Sequence, residues 1–65
     1  MSEKLLLTPE EAFQAINIGR AKGFQMLASG ELPSIKVGRL RRIPAAELRN
    51  WVQKQVEEQT EADLP

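Results

Sequence analysis

Neither cysteine nor histidine occurs among the 65 residues. Without thiols there is no disulfide, thiolate nucleophile, zinc-thiolate site or iron-sulfur cluster; without imidazole the commonest metal ligand and the usual neutral-pH proton shuttle are missing. Stability has to come from packing alone. Aromatics are scarce, two Phe and one Trp, and no apolar run exceeds three residues, as in Leu5 to Leu7. A membrane span needs about 20. Met1 to Leu7 also lacks a signal-peptide core. These absences predict a soluble, intracellular protein. A chain this short buries only about 60% of the surface it exposes when unfolded, so one small domain is expected.

What is present is charge, 28% of the residues, with a formal net of zero. Its distribution is uneven. Residues 20–42 hold Arg20, Lys22, Lys36, Arg39, Arg41 and Arg42 against the single acid Glu31, a net of +5, whereas residues 1–19 carry −2 and residues 43–65 carry −3. Overall neutrality therefore hides a basic middle between acidic ends, and it is the local patch that selects a partner.

Thr8-Pro9-Glu10-Glu11 is a capping-box sequence, with Thr and Glu three apart and Pro in the first turn, and it predicts a short helix with Ala12, Phe13, Ala15 and Ile16 on its apolar side. Asn17-Ile18-Gly19 reads as a turn. A second helix is expected from about Arg20 to Ser29, with Ala21, Phe24, Leu27 and Ala28 inward and Gly30 stopping it. Gly23 is out of place in a helix interior, where it costs about 1 kcal/mol relative to Ala. Either another backbone comes close there, or the helix is soft until it binds something.

After Pro33 the pattern changes to period two, and Ile35 and Val37 alternate with Ser34 and Lys36 before a glycine and a basic run leading to Ile43. That is a β-hairpin. Ile35, Val37 and Ile43 share one face only if the tip holds an odd number of residues or a bulge intervenes; a three-residue tip, Gly38-Arg39-Leu40, would set Val37 opposite Arg41 and Ile35 opposite Ile43. Pro44 then opens a third helix with Leu48, Trp51, Val52 and Val56 in one stripe. Residues 1–56 make up this domain, and residues 57–65, acidic and aperiodic, are expected to form a disordered tail.

Catalysis finds little support. Ser2, Ser29, Ser34, Thr8 and Thr60 have no His partner, the adjacent Glu10 and Glu11 diverge on a helix, and no P-loop, dinucleotide-binding glycine motif or calcium loop occurs. No enzyme, metal or cofactor is expected. The order helix, short turn, helix, hairpin, helix places Arg20, Ala21, Lys22 and Gln25 on a helix that fits the major groove of DNA, about 12 Å wide. Arg can meet guanine O6 and N7, and Gln adenine N6 and N7. Lys36, Arg39, Arg41 and Arg42 on the hairpin suit phosphate and a narrow minor groove. Each residue has an ordinary alternative: Arg20 can salt-bridge Glu31 or an early acid, Lys22 can be a solvated lysine, and Gln25 a mere helix former. A protein-interaction adaptor with a basic hairpin is the competing class.

LLLTPEEA at the start and SGELPSIKVGRLRRIPAAEL from Ser29 to Leu48 resemble the small excisionase-type winged helix-turn-helix proteins, relatives of the MerR-like DNA-binding domain. The likeness runs from about Leu6 to Val52. It implies a mostly α fold with a small β-hairpin: helix-turn-helix, two-stranded wing, closing helix. It also implies Arg20, Lys22 and neighbours in the major groove and the wing's Arg39 in the minor groove, with Thr8 at the first cap as a DNA-backbone contact. The implied functions are two. One is a recombination directionality factor that binds tandem sites cooperatively, by weak head-to-tail self-association, and bends DNA for a cognate integrase; the other is a small promoter-binding regulator. Either would work in the bacterial cytoplasm or nucleoid. The chain departs from the family at Asn17 (usually Gly), Gly19 (usually a Ser cap), Gly23 (usually a branched aliphatic) and Phe24 (usually Tyr).

Overall fold

The computed structural model of the protein describes residues 4–63. The capping box forms as its spacing demands. Thr8 Oγ1 accepts from the Glu11 N–H at 3.1 Å, and the Glu11 carboxylate accepts in return from the Thr8 N–H at 2.9 Å. Helix α1, Pro9–Ala15, follows and buries Ala12 and Phe13. The chain then turns through Asn17, which is left-handed with φ 58°, while the Ile18 N–H donates to the Phe13 carbonyl at 3.0 Å. Helix α2 spans Arg20–Ser29. It ends as expected at Gly30, whose N–H donates to Leu27 O while that of Glu31 donates to Met26 O, the paired bonds of a Schellman stop.

The inward face of α2 differs from the one periodicity suggests. Gly23 and Met26 are buried and Leu27 is half-buried, whereas Ala21, Phe24 and Ala28 are exposed. The cause is Phe13. A Cβ placed on Gly23 would lie 2.5 Å from two atoms of the Phe13 ring, so α2 rests on α1 at the one residue with no side chain, and the whole helix is rotated accordingly. Close approach, not softness, explains this glycine. The Phe24 ring, displaced from the core, meets Phe13 edge-on at 5.0 Å and 85°.

The hairpin consists of β2, Ile35–Val37, and β3, Leu40–Pro44. Its tip holds two residues, not three: Val37 pairs with Leu40, Lys36 with Arg41 and Ile35 with Arg42. Gly38 alone of the two tip residues has positive φ, 63°, the pattern of a type II′ turn, whose twist suits a two-residue connection. An even tip reverses the expected faces. Lys36 and Arg41 now share one side of the ribbon, and Ile35, Val37, Leu40 and Arg42 the other. Ile43 points the way of Arg41 and reaches the core, fully buried, while Ile35, Val37 and Leu40 stay 44%, 47% and 54% exposed. A third strand, too short to show periodicity, completes the sheet: β1, Leu6–Leu7, pairs antiparallel with β3 through Leu6 with Pro44 and Leu7 with Ile43, giving the order β1-β3-β2.

Helix α3, Ala45–Asp63, closes the fold. The core comprises Ala12, Phe13, Met26, Leu32, Ile43 and Leu48, with Leu7, Ile16, Ile18, Leu27 and Trp51 packed around it. Only the first part of the expected α3 stripe is used. Leu48 is buried and Trp51 half-buried, but Val52 and Val56 are exposed. The reason is length: α1 has 7 residues and α3 has 19, about 10 Å against 28 Å at 1.5 Å per residue. Nor does helicity fail after Glu57. The Gln and Glu residues that follow are good helix formers with no Gly or Pro among them, so the expected disordered tail is helical to Asp63. The last two positions of that tail lie outside the described residues.

Candidate nucleic-acid interface

At 3.6 residues per turn, burial of Gly23, Met26 and Leu27 turns Ala21, Gln25 and Ala28 directly outward, with Arg20 and Phe24 on one flank and Lys22 on the other. Small residues at the centre of that face let the helix backbone approach a partner closely. The four α2 residues singled out in the sequence are all exposed.

Arg20 is tied down. Its Nη1 donates to Glu10 Oε2 at 2.9 Å, and its Cζ stands 5.2 Å from the centre of the Phe24 ring. The early acid foreseen as a competing partner is thus Glu10, not Glu31. The Glu10 carboxyl is held below its ordinary range by its own backbone N–H, then by Arg20, with a smaller pull from Arg42. That last influence puts Arg42 of the ribbon within electrostatic reach of the first turn of α1.

Thr8 is half-buried and its hydroxyl oxygen is engaged by Glu11, leaving the hydroxyl proton to donate elsewhere. Glu11 is also bound by Lys4. The Lys4 ammonium, followed by the Thr8 N–H, keeps the Glu11 carboxyl below its usual range.

The ribbon cations are arranged on two sides. Lys36 and Arg41 face each other across the strands, Arg42 lies on the opposite side beside Ile35, and Arg39 occupies the tip. Arg41 Nη1 donates to Ser34 Oγ at 3.2 Å and Arg42 Nη1 to the Arg41 carbonyl at 2.8 Å. Among the described residues, none of these four, nor Lys22, has a carboxylate within ion-pair distance. Like charges directly opposite on a ribbon are destabilising, so the pair Lys36 and Arg41 is an arrangement that an external polyanion would relieve. Grooves along α1 and α3, lined by Ala15, Ile16, Trp51, Val52 and Val56, contain none of the six cations of the basic middle. No cluster of metal-ligating side chains occurs among the described residues, and no described helix is long and apolar enough to cross a membrane.

A helix pair joined by the four residues Ile16 to Gly19, a two-stranded ribbon and a closing helix define a winged helix-turn-helix domain. The family model described as a helix-turn-helix domain matches residues 6–56. A probable excisionase of Saccharopolyspora erythraea is 37% identical over 62 residues, 95% of this chain and 63% of that protein. An excisionase of Streptomyces ambofaciens is 34% identical over 53 residues, 82% of this chain and 86% of that one. The chain belongs to the excisionase-type helix-turn-helix family. It spans somewhat less than two thirds of the first of these relatives. No solved structure matches it.

Proposed function

We propose that the protein is a sequence-specific DNA-binding excisionase. It acts without catalysis of its own, inside the bacterial cytoplasm, as a directionality factor for a partner recombinase. The observation that carries this reading is the ribbon's four cations without acidic partners among the described residues, together with an exposed α2 face of small and hydrogen-bonding residues. In this reading Ala21, Lys22 and Gln25 enter the major groove with Arg20, Arg39 at the ribbon tip enters the minor groove, and Lys36, Arg41 and Arg42 hold phosphates on the two sides of the ribbon. Thr8 donates its hydroxyl proton to a phosphate at the start of α1. Residues 1–56 bind DNA. The acidic stretch 57–65 is offered to an integrase, and its helical part stands clear of the core.

Copies bound weakly head to tail on tandem sites would bend the duplex between them. The relatives named excisionase support this reading over a promoter-binding regulator. The test is retardation of attachment-site duplexes across a salt series. If ~5 phosphates are neutralised, log K falls against log salt with a slope near −4.5. Stepwise loading on tandem repeats, together with stimulated excision in the presence of an integrase, is the expected outcome. A single promoter site would favour the regulator, and no retardation of any duplex at low salt would favour a protein-interaction adaptor.

A further inference from the structure

We propose that Glu10 is a specificity-setting positioning residue, whose carboxylate fixes the Arg20 guanidinium against Phe24 so that Arg20 reads a base edge and is kept from the phosphates. This rests on the DNA-binding reading above.

The restraint is built outward from the core. Phe13 is 2% exposed and immobilised among Ala12 and its neighbours. Phe24 stands edge-on against it at 5.0 Å, and the guanidinium of Arg20, one helical turn before Phe24, lies 5.2 Å from the centre of the Phe24 ring. From the other side Glu10 receives Arg20 Nη1 at 2.9 Å. Glu10 is itself set by the capping box that fixes the first turn of α1. A long side chain with many rotamers is thereby held between two elements.

One N–H is spent on Glu10, and a guanidinium has five. Those left suffice for guanine O6 and N7. The same carboxylate repels any phosphate that approaches Arg20, which penalises backbone capture while leaving base contact open. Discrimination of this kind needs both an attraction to the right group and a penalty on the wrong one. Among the described residues the ribbon cations lack such a carboxylate, so the restraint is local to the helix that would read sequence.

The experiment selects binding sites for the full chain from duplexes with a random core of about 20 base pairs, then measures Kd on the selected duplex and on alternating poly(dA-dT), which has no guanine O6 and N7 edge. Glu10→Gln removes the charge and weakens the hold. It should bind poly(dA-dT) more tightly and lower the ratio of specific to non-specific affinity about five- to tenfold. It should also relax the same base position that Arg20→Ala relaxes. Glu10→Asp keeps the charge but shortens the reach, and should relax that position without tightening the non-specific binding. Thermal melting of all three variants monitors the fold, which the exposed Glu10 leaves intact. Selection of the wild-type sequence by Glu10→Gln with an unchanged affinity ratio overturns the proposal. Failure of the wild-type chain to bind any duplex overturns the DNA-binding reading instead.

Discussion

The helical pair and the ribbon both offer arginine to solvent, but on different terms. In the helical pair Arg20 is restrained by a carboxylate and an aromatic ring that lead back to a buried side chain. On the ribbon Lys36, Arg39, Arg41 and Arg42 stand without acidic partners among the described residues, and two of them oppose each other. A restrained cation suits selection among geometries. A set of unrestrained ones suits attraction of any polyanion. The two regions also use glycine differently: Gly23 is required by space, since Phe13 occupies the place of its Cβ, whereas Gly38 has open surroundings but a φ of 63°.

That contrast can be broken most forcefully at Gly23. Gly23→Ala pushes a methyl group into the Phe13 ring, and overpacking of this kind costs about 1–3 kcal/mol despite the gain in helix propensity. Urea denaturation should show it, and adding Phe13→Leu should recover part of the loss. Gly38→Ala meets no atom, so only its left-handed backbone conformation is penalised, by about 1–2 kcal/mol. No second-site change of side-chain size should rescue it. Indifference of stability to Gly23→Ala would dissolve the distinction.

A smaller and opposite effect is expected on the ribbon. Lys36→Ala removes a like-charge contact with Arg41 and should stabilise the isolated protein by roughly 0.2–1 kcal/mol. The same change should weaken binding to all duplexes alike and make the salt slope shallower by about 0.9. Arg20→Ala, by contrast, should change which duplex is preferred. Equal loss of preference from both variants would erase the division between reading and holding.

The smallest effect is on pH dependence. Glu10 and Glu11 have folded pKa values below the ordinary 4.5. A carboxyl of this sort binds fewer protons in the folded state, so its stabilisation is present above the unfolded value and lost as pH falls through the folded one. The thermal midpoint should therefore decline on acidification through that range, and less steeply in Glu10→Gln. Glu10 is exposed and Glu11 only half-buried, which keeps the difference slight.

Local chemistry was legible in the sequence and long-range contact was not. Thr8 and Glu11 lie three residues apart, and their reciprocal bonds follow from that spacing alone. The Schellman stop at Gly30 is equally local. Gly23 could be seen as anomalous, but its explanation sits ten residues earlier in the chain and only packing brings Phe13 there. The ribbon register departs from the one that a shared buried face for its apolar residues would impose. A projecting ribbon has solvent on both sides, so burial enforces no register beyond Ile43, and the Gly38-Arg39 turn decides it. The stripe on α3 failed likewise: periodicity identifies an apolar face without saying how much of it finds a neighbour. Of the candidate interface, the residue types and their elements were readable, whereas the restraint of Arg20 by Glu10 and Phe24 needed the tertiary arrangement.

The overshoot of α3 bears on how such a protein changes over generations. Among the described residues every core position lies at or before Trp51, so the turns beyond it contribute little to folding and tolerate change. In the reading proposed above, substitutions there would retune a protein contact without touching the outward face of α2. The two surfaces could then vary independently.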